Sequence, residues 1–232
     1  MKKTSFISTV ALTVLFFCGC TESDSADRKM KSAFSQAQQG NWSEASSNAA
    51  ELAAEYPGAV APQLLQALAY EKNGDLAKAT DLARQCAVNA PGDFTAQYTL
   101  GRLYSLDPHR QTEAFSALEQ ALQLCPGDTN TLVLLCNIGV TGNYPETEKY
   151  LNYLKNTQAF QNSADVYFML GMWYAGKKKF PAAKVAMRQA YNRCKTVEFV
   201  QQIIDCLTYY HAPREDIAIF NQIAKITRRH AR

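Results

Sequence analysis

Histidine is scarce in this chain, three residues in 232, and none of the three is placed to do chemistry. His109, His211 and His230 lie far apart, so no His-x-x-x-His or His-Glu pair could hold a metal on one helix face. No nucleophile motif accompanies them, and Gly171-Met172-Trp173-Tyr174-Ala175-Gly176 lacks the glycine spacing of a phosphate loop. An excess of one charge is missing too. Twenty-four Lys and Arg stand against 21 Asp and Glu, for a formal +3 that becomes +1 without Lys2 and Lys3. A nucleic-acid binder needs a basic stripe to neutralise phosphates. These absences argue against an enzyme, a metal site, a cofactor and a nucleic-acid partner. Nor is there an apolar run of the roughly 20 residues that a spanning helix needs.

Disulfide pairs are poorly supported. Beyond Cys18 and Cys20 the chain has five cysteines, Cys86, Cys125, Cys136, Cys194 and Cys206, an odd number that leaves at least one thiol free. Cys125 with Cys136, and Cys194 with Cys206, would each join one helix end to the middle of the next helix. Antiparallel packing puts such positions roughly 9 Å apart along the axis, where a disulfide needs Cα atoms within about 7 Å. The cysteines are therefore expected to act as small core hydrophobes.

What the chain does have is a repeat. Gly40, Gly74 and Gly142, spaced 34 and 68 residues apart, open the phrases Gly40-Asn41-Trp42, Gly74-Asp75-Leu76 and Gly142-Asn143-Tyr144. Ala33, Ala67, Gly101 and Gly171 keep the same period, as do Ala45, Ala79, Ala114 and Ala183, with Thr147 in the gap. Pro57-Gly58, Pro91-Gly92 and Pro126-Gly127 close three units. Two amphipathic helices, A and B, joined by a short turn fit each unit, and a Pro-Gly breaker separates it from the next. Where A crosses B at about 8 to 10 Å only Gly or Ala fits, and Tyr or Leu fills the space beside it.

These residues resemble the tetratricopeptide repeat, a 34-residue helix-turn-helix. The fifth unit is the fullest match, with Tyr167, Leu170, Gly171, Tyr174, Phe180, Ala183 and Ala190. The third carries one extra residue around Asp107-Pro108-His109, and the fourth has Leu135 and Thr147 where small residues are expected. In the last unit Ile217 stands in place of Ala, as suits a terminal repeat with one neighbour. The resemblance implies an all-α, right-handed superhelical solenoid of about six units, at 29–57, 60–91, 94–126, 128–157, 164–195 and 198–229.

The N-terminus reads as an export signal. Lys2 and Lys3 precede a largely apolar run of 12 residues from Phe6 to Phe17, too short to span a bilayer. Phe17-Cys18-Gly19-Cys20 resembles a bacterial lipobox, which implies that residues 1–20 form the signal and that Cys20 is lipidated. Residues 21–28 form a polar tether with helix beginning near Lys29, and Thr21 after the cysteine favours the outer membrane. The expected location is the bacterial envelope, lipid-anchored and facing the periplasm.

Tetratricopeptide proteins bind peptides along their A helices, at positions five and nine of each unit. Carried onto this sequence, the groove comprises Phe34, Leu64, Leu68, Tyr98, Arg102, Leu132, Phe168 and Met172, with Met30 and Cys136 completing the two series. Arg102 alone is charged, so the implied partner is an apolar protein or peptide segment. The other reading of these side chains is packing between helices. Lys177-Lys178-Lys179 replaces the fifth turn glycine and reads as a solvated turn, and Trp42 and Trp173 read as core. The basic tail Arg228-Arg229-His230-Ala231-Arg232 fits either a helix C-terminus favouring cations or contact with anionic lipid or polymer. Two lipoprotein families of this build, type IV pilus pilotins and barrel-assembly lipoproteins, suggest a non-catalytic assembly scaffold. The alternative is ligand capture for uptake.

Overall fold

The computed structural model describes residues 24–230. Cys20 and the signal segment lie outside the described residues, as do Ala231 and Arg232 of the tail. Among the described residues there are twelve α-helices and no strand. In chain order they are α1 (Asp24–Gln38), α2 (Trp42–Glu55), α3 (Val60–Lys72), α4 (Leu76–Asn89), α5 (Phe94–Tyr104), α6 (Gln111–Leu124), α7 (Thr129–Gly142), α8 (Thr147–Asn156), α9 (Ala164–Gly176), α10 (Phe180–Arg193), α11 (Val197–Tyr209) and α12 (Arg214–His230). Odd-numbered helices are the A members of the six repeats and even-numbered helices the B members. The chain divides into two compact halves, Met1–Gly127 and Asp128–Arg232, so the cut falls between the third and fourth repeats.

Within the first half α1 packs on α2, α3 on α4 and α5 on α6, and α2 and α4 link each pair to the next. The second half repeats this with α7 on α8, α9 on α10 and α11 on α12, with α8 against α9. The core of its last two repeats is built on Met187, Val200, Ile203, Leu207 and Phe220. Helix α1 starts five residues ahead of the expected Lys29. The polar stretch before Lys29 contributes to the helix, where Asp27 pairs with Lys31 one turn later.

Five of the six A helices end by one device. Gly40 (φ 86°), Gly74 (φ 83°), Asn143 (φ 58°), Lys178 (φ 58°) and His211 (φ 56°) take the left-handed conformation just past the helix. The following N–H then reaches back five residues, Asn41 to Gln36, Asp75 to Tyr70, Tyr144 to Gly139, Lys179 to Tyr174 and Ala212 to Leu207, all at 2.8–3.1 Å. This Schellman-type closure satisfies carbonyls that the helix end would otherwise strand. In the fourth repeat the left-handed residue is thus Asn143 and not Gly142, which remains the last residue of α7 and lies against the Tyr144 ring. The third repeat lacks the device, because its extra residue forms a single 3-10 turn, Pro108–Arg110, capped by the Asp107 carboxylate accepting from the His109 N–H at 2.9 Å.

Gly74 isolates the conformational term, since a methyl group there would meet nothing within 4 Å. Gly74→Ala is expected to lower stability by about 1 kcal/mol through the positive φ alone. Gly92→Ala, also in open space but without a positive φ, is expected to be neutral or slightly stabilising. Thermal unfolding followed by circular dichroism separates the two.

The starts of several helices follow the breakers. Asp93 after Pro91-Gly92 accepts from the Ala96 N–H at 2.8 Å, and Asp128 after Pro126-Gly127 accepts from the Thr131 N–H at 2.7 Å. The small residues expected at the crossings, Ala33, Ala67, Ala45, Ala79, Ala114 and Ala183, are all fully buried. A Cβ on Gly101 would lie 2.6 Å from the Leu118 Cγ and 3.1 Å from its backbone nitrogen, and one on Gly171 would lie 2.5 Å from the Met187 Cγ. In the fourth repeat the close approach moves a turn along the A helix, where Gly139 rests on Thr147 and leaves room for the fully buried Leu135.

Candidate binding face

The left-handed residues set the register of positions five and nine on the A helices. Counting back six and ten residues from Gly40, Gly74, Lys178 and His211 gives positions nine and five of their repeats. For Lys178 these are Met172 and Phe168. For the fourth repeat, Asn143 shifts the pair by one residue, to Asn137 and Val133. The expected Leu132 and Cys136 face the interior instead, at 1% and 0% exposure, while Asn137 is exposed and Val133 half-buried. The error came from taking Gly142 as the turn residue. Asn is among the few non-glycine residues that accept the left-handed region at little cost.

In the first half the expected groove residues Phe34, Leu64, Leu68, Tyr98 and Arg102 are all buried. Arg102 is not a free charge. Its two terminal nitrogens donate to the two Glu71 carboxylate oxygens at 2.8 and 2.6 Å, tying α5 to α3. Burial by itself would raise the Glu71 carboxyl, but the Arg102 hydrogen bonds and charge outweigh it and hold it below the usual Glu range. The Arg102 Nε is buried without a partner. A cleft of about 330 Å³ lies between α4 and the inserted turn, lined by Leu76, Thr80, Asp81, Tyr104, Asp107 and Arg110 among others. The Arg110 guanidinium lies 3.8 Å from the centre of the Tyr104 ring.

The second half offers the more open A-helix face. Helix α9 is apolar on every side, a pattern that leaves apolar groups outside whichever face it buries. Val166, Leu170, Gly171, Trp173 and Ala175 are buried, while Phe168, Met169 and Met172 stay half-buried. Phe168 is anchored by a tilted ring contact to the Phe199 ring of α11, 5.6 Å between centres, so it belongs partly to the core. Met172 lies one turn further along. On α11 the corresponding positions are Gln201 and Asp205, joined by a 3.0 Å hydrogen bond from Gln201 Nε2 to Asp205 Oδ1. The face is thus an apolar strip on α9 with polar groups on both flanking helices. Asn137, Val133 and Asp205 were missed in the sequence because only the turn geometry fixes their register.

Among the described residues all five cysteines are free. Cys86 and Cys136 are buried, with Cys86 donating to Gln63 Oε1 at 3.2 Å, but Cys125 is exposed and so does not fill core. Burial pushes the Cys136 and Cys206 thiols up to about 12, and burial with the nearby Asp93 charge pushes Cys86 up to about 11. These three remain protonated, hence poor nucleophiles, near neutral pH. Trp173 is buried, as expected, whereas Trp42 is only half-buried beneath the Lys72 ammonium. Two of the turn lysines do more than face solvent: Lys177 donates to the Asn143 carbonyl at 3.3 Å and Lys178 to the Tyr210 carbonyl at 2.6 Å, lacing successive turns together. Among the described residues no group of three His, Cys, Asp or Glu could hold a metal, and no helix is long and apolar enough to cross a membrane.

No protein-family model matches the chain, and a search of curated proteins finds no relative. Solved structures do match. MamA aligns with a TM-score of 0.61 at 18% identity, over 72% of this chain and 91% of its own. YrrB, described as a TPR protein with an unusual peptide-binding site, aligns with a TM-score of 0.61 at 16% identity, over 77% of this chain and 91% of its own. Identities this low speak to architecture alone, and with the helix pairs, crossings and turns above they make this an all-α protein of the tetratricopeptide-repeat solenoid fold.

Proposed function

We propose that this protein is a non-catalytic interaction scaffold that holds an apolar protein or peptide segment on the A-helix face of its second half. The observation that carries the reading is α9, whose half-buried Phe168, Met169 and Met172 present an apolar strip where a surface helix would ordinarily be polar. The peptide-binding site described for YrrB lends support by likeness of fold. Asp165, Glu198 and Asp205 are the only ionisable acids on the three A helices, and they favour a segment flanked by Lys or Arg.

A photo-crosslinking residue placed at 172 in cells should capture a defined partner, and Met172→Asp should weaken that partner's binding about tenfold or more. Phe168→Asp is the poorer test because Phe168 also packs on Phe199. If the Met172→Asp protein keeps its circular dichroism and binds the partner undiminished, the face is wrongly placed. The reading further proposes that acylation at Cys20 tethers the scaffold to the envelope, and that the assembly of outer-membrane or pilus components is the setting. Cys20→Ser should then release the chain from membranes in a carbonate wash. Continued retention would argue against the anchor.

A further inference from the structure

Charge in the second half is sorted by helix. The A helices α7, α9 and α11 contain no Lys, Arg or His, and their three carboxylates are Asp165, Glu198 and Asp205. The B helices α8, α10 and α12 carry nine Lys and Arg against three carboxylates, Glu148, Glu215 and Asp216. Two of those three acids are turned inward. Glu148 accepts from the Tyr174 hydroxyl at 3.1 Å, and the buried Asp216 holds Lys184 at 2.6 Å. Arg188, Lys225, Arg228 and Arg229, in contrast, are exposed, and none joins an ion pair among the described residues.

Helix dipoles do not account for this distribution. Cations in a last turn, such as Arg228 and Arg229, complement the helix C-terminus. Arg188 sits in the middle of α10, while Lys149 and Arg214 lie in the first turns of α8 and α12, where the dipole opposes a positive charge. The same outward faces carry apolar side chains in the open: Val185 on α10 is 56% exposed, Ile226 on α12 54% and Tyr153 on α8 50%. Val185 lies a turn before Arg188, Ile226 follows Lys225, and Tyr153 lies a turn after Lys149. Helices α10 and α12 are fastened side by side by Lys184 with Asp216 and by the Tyr191 and Thr227 hydroxyls, 2.7 Å apart. Their outer faces therefore form one surface.

We infer that the B-helix surface of α10 and α12 seats on an anionic lipid bilayer, with the cations at the headgroups and Val185 and Ile226 entering the interface. Cations interleaved with exposed apolar groups match that boundary, which is charged above and apolar below. A polyanion such as nucleic acid would engage the cations and leave the apolar groups unused.

The test is binding of the full chain to vesicles of phosphatidylcholine alone and of phosphatidylcholine mixed with phosphatidylglycerol. Any N-terminal apolar segment contributes to both alike, so the ratio of affinities reads the charged surface. Anionic vesicles should be preferred, and Arg188→Glu with Lys225→Glu and Arg229→Glu should cut that ratio about tenfold or more. Val185→Ser with Ile226→Ser should weaken binding to anionic vesicles several-fold, roughly in proportion to the apolar area removed, while leaving binding to heparin unchanged. Melting curves check each variant, and the Gln versions replace the Glu versions if these unfold early. Equal affinity for the two vesicle types, or an unchanged ratio in the triple variant, would overturn the proposal. Heparin binding that survives alongside an unaffected Val185→Ser, Ile226→Ser variant would reassign the surface to a polyanionic polymer.

Discussion

Gly171→Leu is expected to destabilise the second half by about 3 kcal/mol. Even the first carbon of the new side chain would stand 2.5 Å from the Met187 Cγ and 3.2 Å from its Cε. Met187, on α10, is fully buried among other core side chains. The helices must separate, and a separation at the crossing loosens every contact along the pair. Trimming the obstacle should restore part of the loss, so Gly171→Leu combined with Met187→Ala is expected to be more stable than Gly171→Leu alone. Urea unfolding of the three proteins measures this, and an additive loss in the double variant would show that the crossing lies elsewhere.

The second large effect concerns a charge that cannot reach water. Glu71→Gln leaves the Arg102 guanidinium buried without a counter-charge and should cost about 3 to 5 kcal/mol. Replacing both residues together, Glu71→Leu with Arg102→Met, removes the demand for solvation and should recover most of that loss. The pair also predicts a pH dependence with a definite sign. Glu71 is held below its ordinary value in the folded chain, so the unfolded chain binds the proton more readily. The stabilisation is complete above the unfolded carboxylate range and declines as pH falls through the lowered folded value. Urea midpoints of the wild type should therefore drop on acidification through that window, and the Glu71→Leu, Arg102→Met protein should drop less. Parallel curves would mean that the pair contributes nothing to acid sensitivity.

Legibility differed between the fold and the site. The period in Ala33, Ala67, Gly101 and Gly171 was readable because a crossing tolerates only the smallest side chains, and that restriction shows directly in the letters. Turns were readable where glycine made them, at Gly40 and Gly74. The lysine turn around Lys178 was legible as well, but the fourth turn was placed one residue early, on Gly142, since nothing local marks Asn143 as the residue that takes the left-handed conformation. One misread turn was enough to displace the fourth repeat's outward positions from Asn137 and Val133 to the buried Cys136 and Leu132. Arg102 likewise looked like the single charged groove residue. Glu71, 31 positions earlier, stood in the adjacent repeat with nothing local to mark the pairing.

The sequence by itself determined the repeat length, the helix pairing and the small residues at the crossings, because these depend on contacts between neighbours in one unit and recur with its period. Tertiary structure decided which side chains remain available. Whether Met172 is offered outward, Arg102 is neutralised, or Arg188 and Lys225 stand free depends on partners one repeat away, and no period in the chain encodes them.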